Sequence, residues 1–169
     1  MLTRTLLATA LVVVPVLPAA DDVLELNLYT SADGKYKVLL PGEVKTTENK
    51  SGGLFTKTAS AAVAGDRMFT VAYTDLPIEV DAGQVKRTLT DYGRGLKGKG
   101  GKLVSEKSVP VGTDKLPGRD VLIEQPKNFL RVRVVLHGKR LYQVIAAGPK
   151  EFVTSKDADK VIESFEVVK

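Results

Sequence analysis

Apolar and polar residues alternate most regularly over residues 130–147. There Leu130, Val132, Val134 and Leu136 interleave with Arg131, Arg133 and Val135, and Leu141, Gln143, Ile145 and Ala147 with Tyr142, Val144 and Ala146. A period of two sends successive side chains to opposite faces of a strand. The stretch therefore predicts two antiparallel strands, 130–136 and 141–147, joined through His137-Gly138-Lys139-Arg140. A type II′ turn at Gly138-Lys139 puts glycine where φ must be positive. In that register Leu130, Val132, Val134 and Leu136 share a nearly all-apolar face with Leu141, Gln143, Ile145 and Ala147. The other face mixes Arg131, Arg133 and Tyr142 with Val135, Val144 and Ala146, so it is expected to be half covered and available for contact.

The same alternation predicts strands at 24–29 and 36–40, separated by the turn signal Ser31-Ala32-Asp33-Gly34. Residues 44–48 extend the sheet, and Asn49-Lys50-Ser51-Gly52-Gly53 reads as a loop. A second hairpin follows, 54–64 with 68–74, its heavier side chains being Phe55, Phe69, Val71 and Tyr73. The period then changes. Val85, Leu89, Tyr92 and Leu96 recur at helical spacing, with Asp81 and Gln84 in the positions of a capping box. Gly93 and Gly95 each cost a helix on the order of 1 kcal/mol, which predicts a frayed last turn. Residues 103–111 read as an edge strand, since Pro110 cannot donate to a ladder and Lys102, Glu106 and Lys107 are charges of the kind that protect an edge. Residues 112–118 read as a loop, and 119–125 as a strand with Val121 and Ile123 on one face. Thr154 or Ser155 caps a final helix striped by Ala158, Val161, Ile162 and Phe165, and 165–168 ends as a strand. The sum is the α+β class, a twisted, mainly antiparallel sheet with one mid-chain helix and one C-terminal helix.

The first twenty residues follow a different logic. Arg4 gives a cationic start, residues 6–17 an apolar run broken by Pro15, and Pro18-Ala19-Ala20 a small-residue close. These are the three regions of a secretory signal peptide, with cleavage expected after Ala19 or Ala20. A retained membrane anchor needs roughly 20 apolar residues, more than this run supplies. The remaining chain, 21–169, is one α+β domain's worth and carries no further transmembrane span. An extracytoplasmic location, periplasmic or secreted, follows. Removing Arg4 with the leader leaves 24 basic against 20 acidic side chains, a mildly basic +4. A domain of roughly 150 residues can be stable without staples. Zero cysteine agrees with that and removes thiolate zinc sites, iron–sulfur clusters and thiol catalysis.

Few motifs carry chemistry. Residues 93–98 spell GxGxxG and 93–99 spell GxxxxGK, yet these glycines close a helix, where free carbonyls repel phosphate, rather than opening one after a strand. Gly100 also stands where a phosphate loop needs Ser or Thr for magnesium. Arg94, Lys97, Lys99 and Lys102 could form a basic patch for a polyanion or envelope surface; the alternative is a solvated lysine loop. A net +4 with no recognisable nucleic-acid motif argues against nucleic acid. Arg131, Arg133 and Tyr142 could grip a carboxylate or phosphate of a partner, or else pair with nearby acids such as Glu124. His137, the only histidine, sits at a hairpin tip, with neither the buried carboxylate nor the nucleophile that general-base chemistry needs. Asp157, Asp159 and Glu163 lack the spacing of a calcium loop and suit the start of a helix. No metal or other cofactor is expected.

The order of these features is Tyr36-Lys37-Val38-Leu39-Leu40-Pro41-Gly42 near the start, the mid-chain helix, Pro117-Gly118-Arg119-Asp120, then Arg140-Leu141-Tyr142-Gln143, and a closing Asp157-Ala158-Asp159-Lys160 helix ending at Ser164-Phe165. It looks like small secreted bacterial domains of uncharacterised function, and the layout is similar to the Mog1/PsbP-like fold, an antiparallel sheet with helices packed on its faces. That resemblance covers roughly residues 24–169 and implies binding and accessory roles rather than one chemistry. It transfers no site residue, because none of these motifs marks a site. The expectation is a non-enzymatic extracytoplasmic binding or accessory domain, contacting a protein or envelope component through Arg131, Arg133 and Tyr142. A polyanion binder using Arg94, Lys97, Lys99 and Lys102 is the alternative.

Overall fold

Two antiparallel sheets make the frame, and the computed structural model describes residues 23–168 of it. The expected leader, residues 1–20, lies outside the described residues. The smaller sheet has the order β1-β2-β10, with β1 at Leu26–Ser31, β2 at Tyr36–Pro41 and β10 at Glu166–Val167. The larger has seven strands in the order β3-β4-β5-β9-β8-β7-β6. These are β3 (Val44–Ser51), β4 (Leu54–Val63), β5 (Arg67–Asp75), β6 (Lys102–Val111), β7 (Leu116–Glu124), β8 (Phe129–His137) and β9 (Arg140–Gly148). Helices α1 (Val85–Gly95), α2 (Lys150–Val153) and α3 (Lys156–Glu163) complete the α+β architecture.

β8 and β9 pair as the alternation predicts, with Leu136 opposite Leu141, Val132 opposite Ile145 and Leu130 opposite Ala147. Gly138 has φ +59 at the first turn position. The nearly all-apolar face is buried toward its turn end, where it lies under α1, whose Leu89 seats among Val121, Ile123, Val132, Val134, Leu136 and Leu141, while Leu130, Gln143, Ile145 and Ala147 are half-buried. The face expected to be half open is covered by the small sheet and α3, so Val135, Tyr142, Val144 and Ala146 join Tyr36, Val38, Leu40, Phe69, Val161, Ile162 and Phe165 in the larger core. The coverage was hidden because it comes from β2 and α3, more than 90 positions upstream and about 20 downstream, elements that the hairpin's own periodicity does not register.

Other differences are local. Residues 49–51 continue β3 instead of looping, and only Gly52 and Gly53, both with positive φ, make the turn. α2 is a four-residue helix between β9 and α3 that the sequence pattern did not separate. The capping box at Asp81 and Gln84 does not form. Helix α1 starts at Val85 with no side-chain cap, and Asp81 instead accepts from the Gly83 amide at 2.8 Å. Ser155 does cap α3, accepting from the Ala158 amide at 3.2 Å. The edges differ: β6 carries Pro110 and a register shift between Leu103 and Ser105, whereas β3 pairs with β4 through eight consecutive positions.

Candidate functional site

A cleft of about 440 Å³ opens between the β1–β2 turn and the β3–β4 wing of the large sheet. Its walls are Tyr29, Ser31 and Asp33 on one side, Thr46, Glu48 and Lys57 on the other, with Tyr36 and Tyr73 beneath. The register explains the second wall. Glu48 pairs with Lys57 and Lys57 with Tyr73, so alternate residues of three adjacent strands reach the same face.

The turn wall is fixed from below. Ser31 Oγ accepts from the Gly34 amide at 3.1 Å, and Lys35 closes the turn in the left-handed region, φ 52. A Cβ on Gly34 would fall 2.5 Å from the Tyr36 ring, so glycine alone fits there. Two side chains of β9 then hold the turn. The Tyr142 hydroxyl donates to the Gly34 carbonyl at 2.8 Å, and Arg140 Nη1 donates to the Asp33 carbonyl at 2.9 Å. Arg140 is itself held by a two-point pair with Asp75 at 2.6 and 2.7 Å, and its guanidinium lies 4.6 Å from the centre of the Tyr73 ring.

Four of the chain's five tyrosines gather here. Tyr36 is the hub, 6.2 Å from Tyr29, 6.3 Å from Tyr73 and 6.1 Å from Tyr142 between ring centres, with Phe165 at 5.6 Å. Burial pushes the Tyr36, Tyr73 and Tyr142 hydroxyls above the usual phenol range, so at neutral pH they stay protonated. Across the cleft Lys57 Nζ lies 3.0 Å from Asp33 and 3.7 Å from Glu48. Its hydrogen bond to Asp33 keeps the ammonium charged to higher pH than usual. The same kind of bond, from Arg140, holds the Asp75 carboxyl below its ordinary range. The cleft thus sets Lys57, Asp33 and Glu48 above the largely buried rings of Tyr36 and Tyr73.

A second groove, about 400 Å³, runs between α1 and the outer strands, lined by Leu89, Val109, Pro110, Pro117 and Gly118 with Lys86, Ser108 and Arg119. Arg119 is already engaged there, bonded to Glu106 and Ser108.

The residues singled out in the sequence occupy other places. Arg133 is inside the protein, paired through two bonds with Asp120 and donating to the Ile162 carbonyl at 3.0 Å. Arg131 pairs with Asp159 at 2.6 Å, and Tyr142 is 2% exposed. The acids are Asp120 and Asp159, not Glu124. Asp157 pairs with Lys160 and accepts from the Leu24 amide, so the acids of α3 tie together segments far apart in the chain. Arg94 is bonded to Glu106 across to β6, while Lys97, Lys99 and Lys102 are exposed. Gly93 and Gly95 stand in the last turn of α1, as expected of a helix exit. Gly93 also lets the helix approach β7: a Cβ there would lie 3.1 Å from Val121. His137 is exposed at the β8–β9 turn. Among the described residues no group of three or more His, Asp or Glu side chains could hold a metal ion. The cleft itself was missed because its lining comes from four separate segments. The clustering of Tyr29 and Tyr36 around a turn was the only local signal.

No protein-family model matches the chain, and no curated protein matches it either. Among solved structures, that of cyanobacterial PsbP (CyanoP) from Synechocystis sp. PCC 6803 superposes with a TM-score of 0.57 over 89% of this chain and 96% of that one. The fold is PsbP-like. At 14% identity the PsbP-like likeness is one of architecture, and the cleft's side chains are argued from this chain alone. Among the described residues no helix is long and apolar enough to cross a membrane.

Proposed function

We propose that the chain is a non-enzymatic accessory domain of an extracytoplasmic compartment, which holds a polar, zwitterionic segment of a partner in the tyrosine-floored cleft. The observation that carries this reading is the Lys57 bridge between Asp33 and Glu48, set over Tyr36 and Tyr73. The three side chains are 42%, 76% and 50% exposed (Lys57, Asp33, Glu48), so the bridge is weak and is readily exchanged for a segment bearing both charges. The leader-like first twenty residues support the compartment, and the PsbP-like architecture supports an accessory role. Tyr142 enters this reading as support beneath the cleft wall, through Gly34, whereas Arg131 and Arg133 are held elsewhere by Asp159 and Asp120.

The test is site-specific photo-crosslinking in the producing cell, with the reactive residue placed at Thr46 in the cleft wall or at Lys107 on the far edge. A single adduct at Thr46, lost when Lys57→Glu is added, is expected. Equal adducts at both positions, or an adduct only at Lys107, would overturn the assignment.

A further inference from the structure

The geometry points to a second contact surface, a lysine-bearing end of the large sheet that docks on an anionic bilayer face. Two loops meet there. The segment leaving α1 carries Lys97, Lys99 and Lys102, and the β7–β8 turn carries Lys127. Gln125 Nε2 donates to the Lys97 carbonyl at 3.0 Å, and Gly100 lies against Pro126, so the two loops form one surface. Gly98 and Gly100 have φ +58 and +83, which lets the first loop fold back with its lysines turned outward. Lys150, whose ammonium is 5.9 Å from the Phe129 ring, adds a fifth cation at the same end.

Residues 97–102 and 124–128 together hold four lysines and one carboxylate, Glu124. None of the four lysines has a salt-bridge partner among the described residues, in contrast to Arg94, which is held by Glu106. Arg94 therefore drops out of the basic set and Lys127 enters it. The shape decides the occupant. The cations project from loops and from the first residues of β6 and α2 instead of lining a groove, and both clefts lie elsewhere. Beside them Val104, unpaired at the β6 irregularity, is 44% exposed. Protruding lysines flanked by an exposed aliphatic side chain fit a flat, negatively charged lipid surface better than a threaded polymer. Each lysine near such a surface contributes about fivefold to partitioning, so docking is weak and reversible.

Vesicle co-sedimentation tests this, using phosphatidylcholine alone and phosphatidylcholine with one third phosphatidylglycerol. The expected result is binding to the anionic vesicles only, reduced at physiological ionic strength. It should fall by at least about tenfold in the quadruple variant K97Q/K99Q/K102Q/K127Q. A control variant, K45Q/K107Q/K139Q/K156Q, removes the same charge from other exposed positions and should retain most of the binding. Equal losses in the two variants would reduce the effect to net charge and overturn the site. Binding to soluble heparin without binding to vesicles would assign the surface to a polymer and overturn it as well.

Discussion

Arg133 and Asp120 face each other as register partners on β8 and β7, joined by bonds of 2.7 and 2.9 Å in the protein interior, where the two residues are 8% and 6% exposed. Arg133 also reaches the last turn of α3 through the Ile162 carbonyl, so one side chain couples two strands to a helix. Removing one ion of such a pair leaves the other buried without compensation. Asp120→Ala should therefore lower unfolding free energy by about 3–5 kcal/mol, read from urea denaturation. Asp120→Leu combined with Arg133→Met should cost much less than the single change, because no charge is stranded.

Glu106 receives Arg94 from α1 on one side and Arg119 from β7 on the other. Hydrogen bonds from Arg94 and then Arg119 hold its carboxyl down to about 2, against an ordinary 4.5. A carboxyl depressed in the folded state contributes stability that is complete above its unfolded value and is lost as pH falls through the folded one. The contribution should disappear between about pH 4.5 and about pH 2. Urea midpoints of wild type and Glu106→Gln should differ at neutral pH and converge across that window.

Gly93 and Gly95 sit two residues apart in one helical turn with opposite surroundings. Nothing lies within 4 Å of a Cβ built on Gly95, so Gly95→Ala should stabilise by roughly 0.5–1 kcal/mol through helix propensity. Gly93 lies against Val121, so Gly93→Val should destabilise by about 1–3 kcal/mol as α1 is forced off the sheet. Thermal unfolding of the two variants should shift in opposite directions.

Tyr142→Phe keeps the ring among Tyr36, Tyr73 and Phe165 but removes the donor to the Gly34 carbonyl. A loss of about 1 kcal/mol is expected. The more specific outcome is faster amide exchange at Gly34 and Lys35, with exchange in β8 unchanged, since the hydroxyl supports the cleft wall and not the sheet.

The central hairpin was legible down to its residue pairs, because a strict period of two and one glycine turn leave little freedom in register. The stripe of α1 was legible for the same reason: Val85, Leu89, Tyr92 and Leu96 all pack against the core beneath it. The fate of Arg133 was not. Its partner Asp120 lies on β7, where Asp120 alternates with Val121, and nothing local says that a carboxylate on one strand will meet a guanidinium on the next. Gly93 misled in a different way. Propensity assigned it a cost, whereas its role is to admit Val121, a contact made 28 residues downstream. The capping box failed because Asp81 satisfied the Gly83 amide in a tight turn before the helix began.

The unequal borders of the large sheet have a consequence for solubility. β6 is closed to further strands by Pro110 and its irregular register, but β3 is a regular eight-residue edge whose alternate residues turn their backbone groups outward. Along that border Lys45, Glu48 and Lys50 are the charged side chains that discourage another chain from continuing the ladder. Neutralising them together would turn a tidy margin into a seed for fibrous growth.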